Sequence, residues 1–186
     1  MKTITRIGAA LLILIFTGCA TQQPLKSPMP EKETADTYLK RGIAYSQKGE
    51  YDRAIPNYNK AIEINPNLTV AYLGRGFTHG KLGEYDRAIS DYNKAIELYP
   101  RYALAYHNRG YVFRKKGEYD KAISDYSKAV EIDPKYAAAY YHRGIAYYHK
   151  GEYDRAWEDV HKAQSLGYPV SPEFLKTLQA ASQRQK

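Results

Sequence analysis

The segment Lys48-Gly49-Glu50-Tyr51-Asp52-Arg53-Ala54-Ile55 is followed by three near copies along the chain. They occupy residues 82–89, 116–123 and 150–157, so successive copies lie 34 residues apart throughout. A fixed period of this length is typical of stacked supersecondary units, each of which packs against its neighbours. We place four units at residues 35–68, 69–102, 103–136 and 137–170.

The residues inside each unit recur at helical spacing. Counted from the start of a unit, positions 4, 8 and 11 share one helix face, and positions 20, 24 and 27 share another. Small residues occupy positions 8, 20 and 27 and Tyr fills most of positions 4 and 24, which accounts for many of the 20 tyrosines. The pattern predicts an all-α fold in which every unit is a helix-turn-helix and the units stack on one core.

Three recurring residues mark where these helices begin and end. A glycine at position 15 is expected to end the first helix in a left-handed conformation, at Gly49, Gly83, Gly117 and Gly151. An aspartate at position 18 is expected to cap the second helix, at Asp52, Asp86, Asp120 and Asp154. Proline stops the second helix, at Pro66, Pro100, Pro134 and Pro169. After the last unit, Ser171-Pro172-Glu173 begins a capping helix over residues 171–186, with Phe174, Leu178 and Ala181 on its apolar face.

The pattern resembles the tetratricopeptide repeat family over residues 35–170. The family's Gly, Tyr, Ala and Pro positions match, and Tyr mostly replaces its Trp and Phe. One departure recurs: position 7, usually Leu, is Arg41, Arg75, Arg109 and Arg143, while position 23 is Asp in units two to four and Asn57 in unit one. We expect each arginine to pair with a position 23 aspartate on a neighbouring helix. The alternative is that the arginines extend into solvent.

The resemblance implies that the first helix of each unit lines a concave surface where ligands bind. Large apolar and aromatic groups there, edged by basic ones, predict a partner-binding groove, since exposed apolar patches tend to mark interaction sites. The alternative is that neighbouring side chains cover this stripe. Leu39 and Ile43 replace the Lys and Asn of the family's chaperone-tail clamp, so that specificity is not expected. The predicted groove residues are Leu39, Ile43, Leu73, Phe77, His107, Asn108, Tyr111, Arg114, Tyr141, His142, Ile145 and Tyr148.

The first residues have the layout of a secretory signal. A positive start precedes the apolar run Ile7 to Phe16, and small residues follow it. Phe16-Thr17-Gly18-Cys19 resembles the bacterial lipobox, which implies a lipoprotein signal peptide at 1–18 and lipidation of Cys19, the single cysteine. The alternative is a signal peptide that is cleaved without lipidation. Residues 19–34 contain three prolines and are expected to form a tether. No Asp follows Cys19, which in this class of lipoprotein points to the outer membrane, facing the periplasm.

The composition and the motifs of the chain argue against two classes of function, nucleic-acid binding and catalysis. The net charge of +8 permits only nonspecific attraction to nucleic acid, and a protein beyond the inner membrane is not expected to meet it. The sequence contains no zinc-protease motif and no phosphate-binding loop, so we expect neither an enzyme nor a cofactor. His107 and His142 are expected to approach across adjacent first helices, without the further ligands that a metal site needs. The sequence predicts a lipid-anchored adaptor that binds a protein partner; a self-associating scaffold and a binder of cell-wall glycan or lipid remain alternatives.

Overall fold

The computed structural model describes residues 33–184, and every regular element in that range is an α-helix. The predicted all-α fold of helix-turn-helix repeats with a C-terminal capping helix is confirmed. The signal segment, Cys19 and the tether up to residue 32 lie outside the described residues. The helices are α1 Ala35–Gln47, α2 Tyr51–Ile64, α3 Thr69–Lys81, α4 Tyr85–Leu98, α5 Ala103–Lys115, α6 Tyr119–Ile132, α7 Ala137–His149, α8 Tyr153–Ser165 and α9 Pro172–Gln183. None of these helices is both long and apolar enough to span a bilayer.

The turn inside each unit is built as the glycines predict. Gly49 has φ of 76°, and its counterparts at 83, 117 and 151 have φ between 77° and 79°. The Glu50 amide donates to the Tyr45 carbonyl at 2.9 Å and the Gly49 amide to the Ser46 carbonyl at 3.1 Å. This pair of bonds closes the end of α1 and reverses the chain, because glycine adopts the left-handed conformation at little cost.

The start of each second helix differs from the prediction. The expected aspartate caps (Asp52, Asp86, Asp120 and Asp154) are wrong, because each aspartate lies inside the first turn rather than at the N-cap. Glu50 occupies the N-cap of α2 without a side-chain capping bond, since its carboxylate pairs with Arg53 at 2.8 Å. The glycine turn brings the chain into helix at Tyr51, two residues too early for Asp52 to cap it. The aspartate still lies beside the positive end of the helix, where negative charge is favourable.

Small residues let the paired helices approach closely. The alanines at positions 20 and 27 are fully buried in all four units, and a ring or valine at position 24 packs between them. A Cβ added at Gly110 would lie 3.0 Å from the Tyr126 ring and 3.2 Å from the Ala122 carbonyl oxygen. The helix crossing therefore leaves no room for a side chain at this position, and the tyrosine ring fills the space instead.

The predicted arginine–aspartate pairs are confirmed in units two to four. Arg109 donates from Nε and Nη2 to the two carboxylate oxygens of Asp125, at 2.8 and 2.7 Å. Arg75–Asp91 and Arg143–Asp159 repeat this two-bond geometry. The remaining Nη1 of each arginine reaches back to the preceding unit, where it donates to Asn59, Asn93 or Ser127. In unit one, which has Asn57 at position 23, Arg41 pairs with the half-exposed Glu33 instead.

The capping helix closes the C-terminal end of the stack. Ser171 is the N-cap of α9, and its side chain accepts a bond from the Phe174 amide at 3.5 Å. Leu178 is fully buried against α8, in a cluster with Ala156 and Val160. The predicted start and apolar face of the capping helix are therefore confirmed.

Candidate functional site: the groove between the first helices

The first helices of the four units lie on one side of the stack. Helix α1 contacts α3, α3 contacts α5 and α5 contacts α7, whereas the second helices do not approach one another to the same extent within residues 33–184. Two cavities open along this side, of about 610 and 430 Å³, and they share Phe77, Lys81 and Asn108. We call the larger cavity the N-terminal half of the groove and the smaller one, with the rings beside it, the C-terminal half.

The N-terminal half of the groove is apolar. Val70, Phe77 and Leu104 line it and are 44, 43 and 40% exposed. Leu73 is only 5% exposed and forms part of the floor, beside the half-buried Ile43. Three large apolar side chains left open beside a cavity form a surface that a ligand could cover.

The C-terminal half of the groove contains an imidazole pair. The Nε2 atom of His107 lies 2.9 Å from Nδ1 of His142, and the two rings stack with centroids 5.1 Å apart. Burial lowers the pKa of His107, and it lowers the pKa of His142 to about 3, with added repulsion from His107 and Arg114. Both imidazoles are therefore neutral at neutral pH. The predicted approach of these residues is confirmed, and residues 33–184 contain no cluster of three metal-ligating side chains there or elsewhere.

Three cations lie over the exposed rings of the groove. The Arg114 guanidinium is 5.1 Å from the Tyr111 ring centroid, Lys115 is 5.7 Å from the same ring, and Lys81 is 5.2 Å from that of Phe77. No carboxylate is among the described residues that line the two cavities. Asp86 and Glu118 lie outside both cavities and pair with Lys116. This surface is therefore aromatic and positively charged.

Other predicted groove residues are placed differently. Tyr141 packs on Tyr168 and Phe174, with ring centroids 4.8 and 5.8 Å away, and Tyr148 packs on Phe174 at 5.7 Å. These two tyrosines thus meet the capping segment that follows unit four. Leu39 and Ile145 are half-buried and line neither cavity.

The structure adds groove residues that the sequence prediction omits. Val70 and Leu104 occupy position 2 of their units, on the first helices that the family resemblance assigns to the concave face. Lys81 occupies position 13, another position of that face. The repeat numbering could therefore have predicted that these three residues lie in the groove. Tyr126 is different, because the sequence assigns its ring to the core and gives no indication that Arg114 lies beside its hydroxyl.

Models of the repeat match most of the described chain. A tetratricopeptide repeat model matches residues 35–68 and 69–102, a second matches 91–124, and a TPR repeat model matches 110–151. Together these matches cover residues 35–151, which is more than half of the chain. The matches run through the helices that form both halves of the groove.

A curated relative and several solved structures resemble the chain. The type IV pilus assembly protein PilF of Pseudomonas aeruginosa is 37% identical over 67 residues, which is 33% of this chain and 27% of PilF. The chain thus matches about a quarter of that relative. A crystal structure of MamA is 34% identical with a TM-score of 0.68, and the match covers 72% of this chain and 78% of MamA.

A third similar structure was solved with a peptide. The first TPR of Spaghetti (RPAP3), bound to the HSP90 peptide SRMEEVD, is 27% identical with a TM-score of 0.60. The match covers 62% of this chain and 92% of that one.

MamA from Desulfovibrio magneticus RS-1 is 26% identical with a TM-score of 0.68, over 73% of this chain and 77% of that one. With the repeat matches and the stacked helix pairs, these similarities establish that the chain belongs to the tetratricopeptide repeat family.

Proposed function

We propose that this protein is a membrane-anchored adaptor of the bacterial envelope and that it holds a segment of a partner protein in the groove. The observation that carries the proposal is the row of open apolar side chains, Val70, Phe77 and Leu104, beside two cavities free of carboxylates. A segment that covered these side chains would remove apolar surface from water, at about 25 cal/mol per Å². The peptide bound by the RPAP3 repeat domain supports this use of the fold.

The proposed membrane anchor and the proposed location of the protein are argued from its sequence. Lipidation of Cys19 would tether the repeats to the membrane, and the residue after Cys19 favours the outer membrane with the repeats in the periplasm. The similarity of one third of the chain to a type IV pilus assembly protein supports a partner within an envelope assembly system.

Capture of the partner tests the adaptor role. Wild-type protein, the double variant Phe77→Ser/Tyr111→Ser and the control Ile64→Ser would be incubated with solubilised envelope. Ile64 is 49% exposed and lines neither cavity, so it is a large exposed apolar residue like Phe77 but lies outside the groove. We expect one protein to be retained by the wild type and by Ile64→Ser but lost with the double variant, whose circular dichroism is unchanged. Equal retention by all three would place the binding surface outside the groove.

Anchoring is tested separately. Cys19→Ala is expected to shift the protein from the membrane to the soluble fraction and to abolish labelling by a palmitate analogue. Its helical circular dichroism is expected to equal that of the wild type. A variant that stays on the membrane would contradict lipidation at Cys19.

A further inference from the structure

Two lysines at the edge of the groove differ from six lysines elsewhere in the stack. Lys81 lines both cavities and Lys115 lines that of the C-terminal half, and neither pairs with a carboxylate of residues 33–184. The six others line neither cavity, and each has a carboxylate oxygen at 2.5–2.7 Å; they are Lys60, Lys94, Lys116, Lys121, Lys128 and Lys150. The two groove lysines therefore present charge that the described chain does not neutralise.

The two lysines occupy the same repeat position in adjacent units. Lys81 is the last residue of α3 and Lys115 the last of α5, at position 13, and these two helices contact each other. In unit one this position is Gln47, and in unit four it is His149, whose pKa is lowered by burial. The end of a helix favours a cation, but α1 and α7 end without a charged residue at this position. The repeat fold therefore does not require a lysine here.

The ammonium groups of these lysines are accessible, whereas the neighbouring arginine is not part of either cavity. Lys81 and Lys115 are exposed, and the rings of Phe77 and Tyr111 lie beneath their ammonium groups. A ring face attracts an ammonium group but leaves its N–H donors available to another acceptor. Arg114 instead forms a hydrogen bond with the buried hydroxyl of Tyr126 and lines neither cavity. The charge offered to a ligand in the groove is therefore that of the two lysines.

Apolar and charged groups are separated along the groove. Val70 and Leu104 line only the cavity of the N-terminal half, and Lys115 lines only that of the C-terminal half. Phe77 and Lys81 line both cavities and mark the boundary between the two environments. A segment that lies along the whole groove therefore has apolar neighbours at one end and ammonium groups at the other.

We propose that the partner segment is bipartite, with an apolar block over Val70, Phe77 and Leu104 and Asp or Glu side chains beside Lys81 and Lys115. This inference rests on the proposed function and specifies the chemistry of the partner. The apolar block would supply most of the affinity, because it removes apolar surface from water, whereas each exposed ion pair contributes little. The acids would supply selectivity, since basic side chains at that end would be repelled by the lysines.

Three fluorescein-labelled peptides test the inference by fluorescence polarisation with the purified protein. The bipartite peptide joins a block of Leu and Phe to a block of Glu and Asp, and it is made in both orders because a segment can run either way along the groove. The amide peptide has Gln and Asn in place of the acids, and the acid-only peptide has Ser in place of Leu and Phe. At about 0.15 M salt, we expect the bipartite peptide to bind about threefold to tenfold more tightly than the amide peptide. The acid-only peptide is expected to bind more weakly than both.

Matched double variants separate the two groove lysines from general charge. Lys81→Gln/Lys115→Gln is expected to abolish the preference for the bipartite peptide and to leave the affinity for the amide peptide unchanged. Lys162→Gln/Lys176→Gln removes the same charge from exposed sites on α8 and α9 that line neither cavity, and it is expected to keep the preference. Both variants should retain the circular dichroism of the wild type, since all four side chains are exposed. Phe77→Ser is expected to weaken both peptides.

Each other outcome overturns the inference. A preference that survives Lys81→Gln/Lys115→Gln, or that is lost equally in the control, would show that diffuse charge selects acids. Equal binding of the bipartite and amide peptides, lost in Phe77→Ser, would leave the groove proposal standing and remove the acidic block. An acid-only peptide that binds as tightly as the bipartite one would show a surface for polyanions in general. Binding of no peptide at millimolar concentration would count against both the bipartite segment and the groove.

Discussion

The two halves of the groove are built on the same repeat positions but present different chemistry. In the N-terminal half, Phe77 and Leu104 form an apolar wall, and the hydroxyls of Ser46 and Thr78 are paired. In the C-terminal half, the neutral His107 and His142 imidazoles stack on each other, and the Arg114 guanidinium lies over the Tyr111 ring. The turns, alanines and arginine–aspartate pairs recur almost unchanged beneath both. The core therefore determines the repeat, and the groove varies at positions that the core leaves free.

The largest expected effect comes from disrupting the helix packing beneath both halves of the groove. Gly110→Leu would place its side chain against the Tyr126 ring and the Ala122 carbonyl oxygen, and backbone cannot move aside as a side-chain tip can. We expect a loss of about 3 kcal/mol or more in the free energy of unfolding, measured by urea denaturation. Tyr111→Ser is the control, because its 38% exposed ring should be nearly neutral. Equal losses from the two variants would show that Tyr111 belongs to the core.

The next effect compares an ion pair inside the stack with the ion pair of unit one. A double-mutant cycle of Arg109→Gln and Asp125→Asn is expected to give a coupling free energy of about 1–3 kcal/mol, because the pair is two-bonded and mostly buried. Arg41 is exposed and Glu33 is half-exposed, and their cycle is expected to give no resolvable coupling. Similar values for the two cycles would contradict the importance of burial here.

The third prediction concerns how stability depends on pH, and it involves the histidine pair in the C-terminal half of the groove. The pKa of His142 is about 3 in the fold, below its unfolded value near 6.5, so between these limits the unfolded state binds more protons. The contribution of His142 to the free energy of unfolding is therefore fully present above about pH 6.5, and it is lost as the pH falls towards 3. We expect a decrease of about 1–2 kcal/mol between pH 7 and pH 5 that is smaller in His142→Gln. His161→Gln, on the exposed side of α8, is the control and should behave as the wild type.

The smallest effect concerns Gly80, which lines the cavity of the C-terminal half. A Cβ at Gly80 would meet its nearest neighbour, Val112, at 3.8 Å, which is ordinary contact. Gly80→Ala is expected to raise the free energy of unfolding by about 0.5–1 kcal/mol, since alanine favours the helix. Thermal melting beside the wild type measures this. A destabilised variant would mean that the cavity is tighter than its 430 Å³ implies.

The repeat architecture could be predicted because its signals are local. Glycine at position 15 fixes the turn, and helical spacing identifies the buried faces. The arginine–aspartate pairing followed from two positions that depart from the repeat pattern together. The aspartate caps were wrong because the glycine turn starts the helix earlier and Glu50 pairs with Arg53 instead of capping.

The groove was less accessible to sequence reasoning. Its position followed from the repeat, but the exposure of each side chain depends on neighbours in other units. Tyr141 and Tyr148 pack on Phe174 of the capping segment, which the repeat numbering does not describe. The interaction of Arg114 with the buried Tyr126 hydroxyl depends on position 12 of that unit, whereas the sequence pattern treats the tyrosine as a core ring alone.

The third nitrogen of each arginine has a consequence for how the stack unfolds. Arg75, Arg109 and Arg143 each join two helices of their own unit to the second helix of the unit before, so every boundary between units contains one such link. Nearest-neighbour coupling of this kind makes the repeats cooperative, because no unit can open without breaking a link to the next. The groove is then a template of fixed curvature, and a bound segment must adopt the spacing that the template sets.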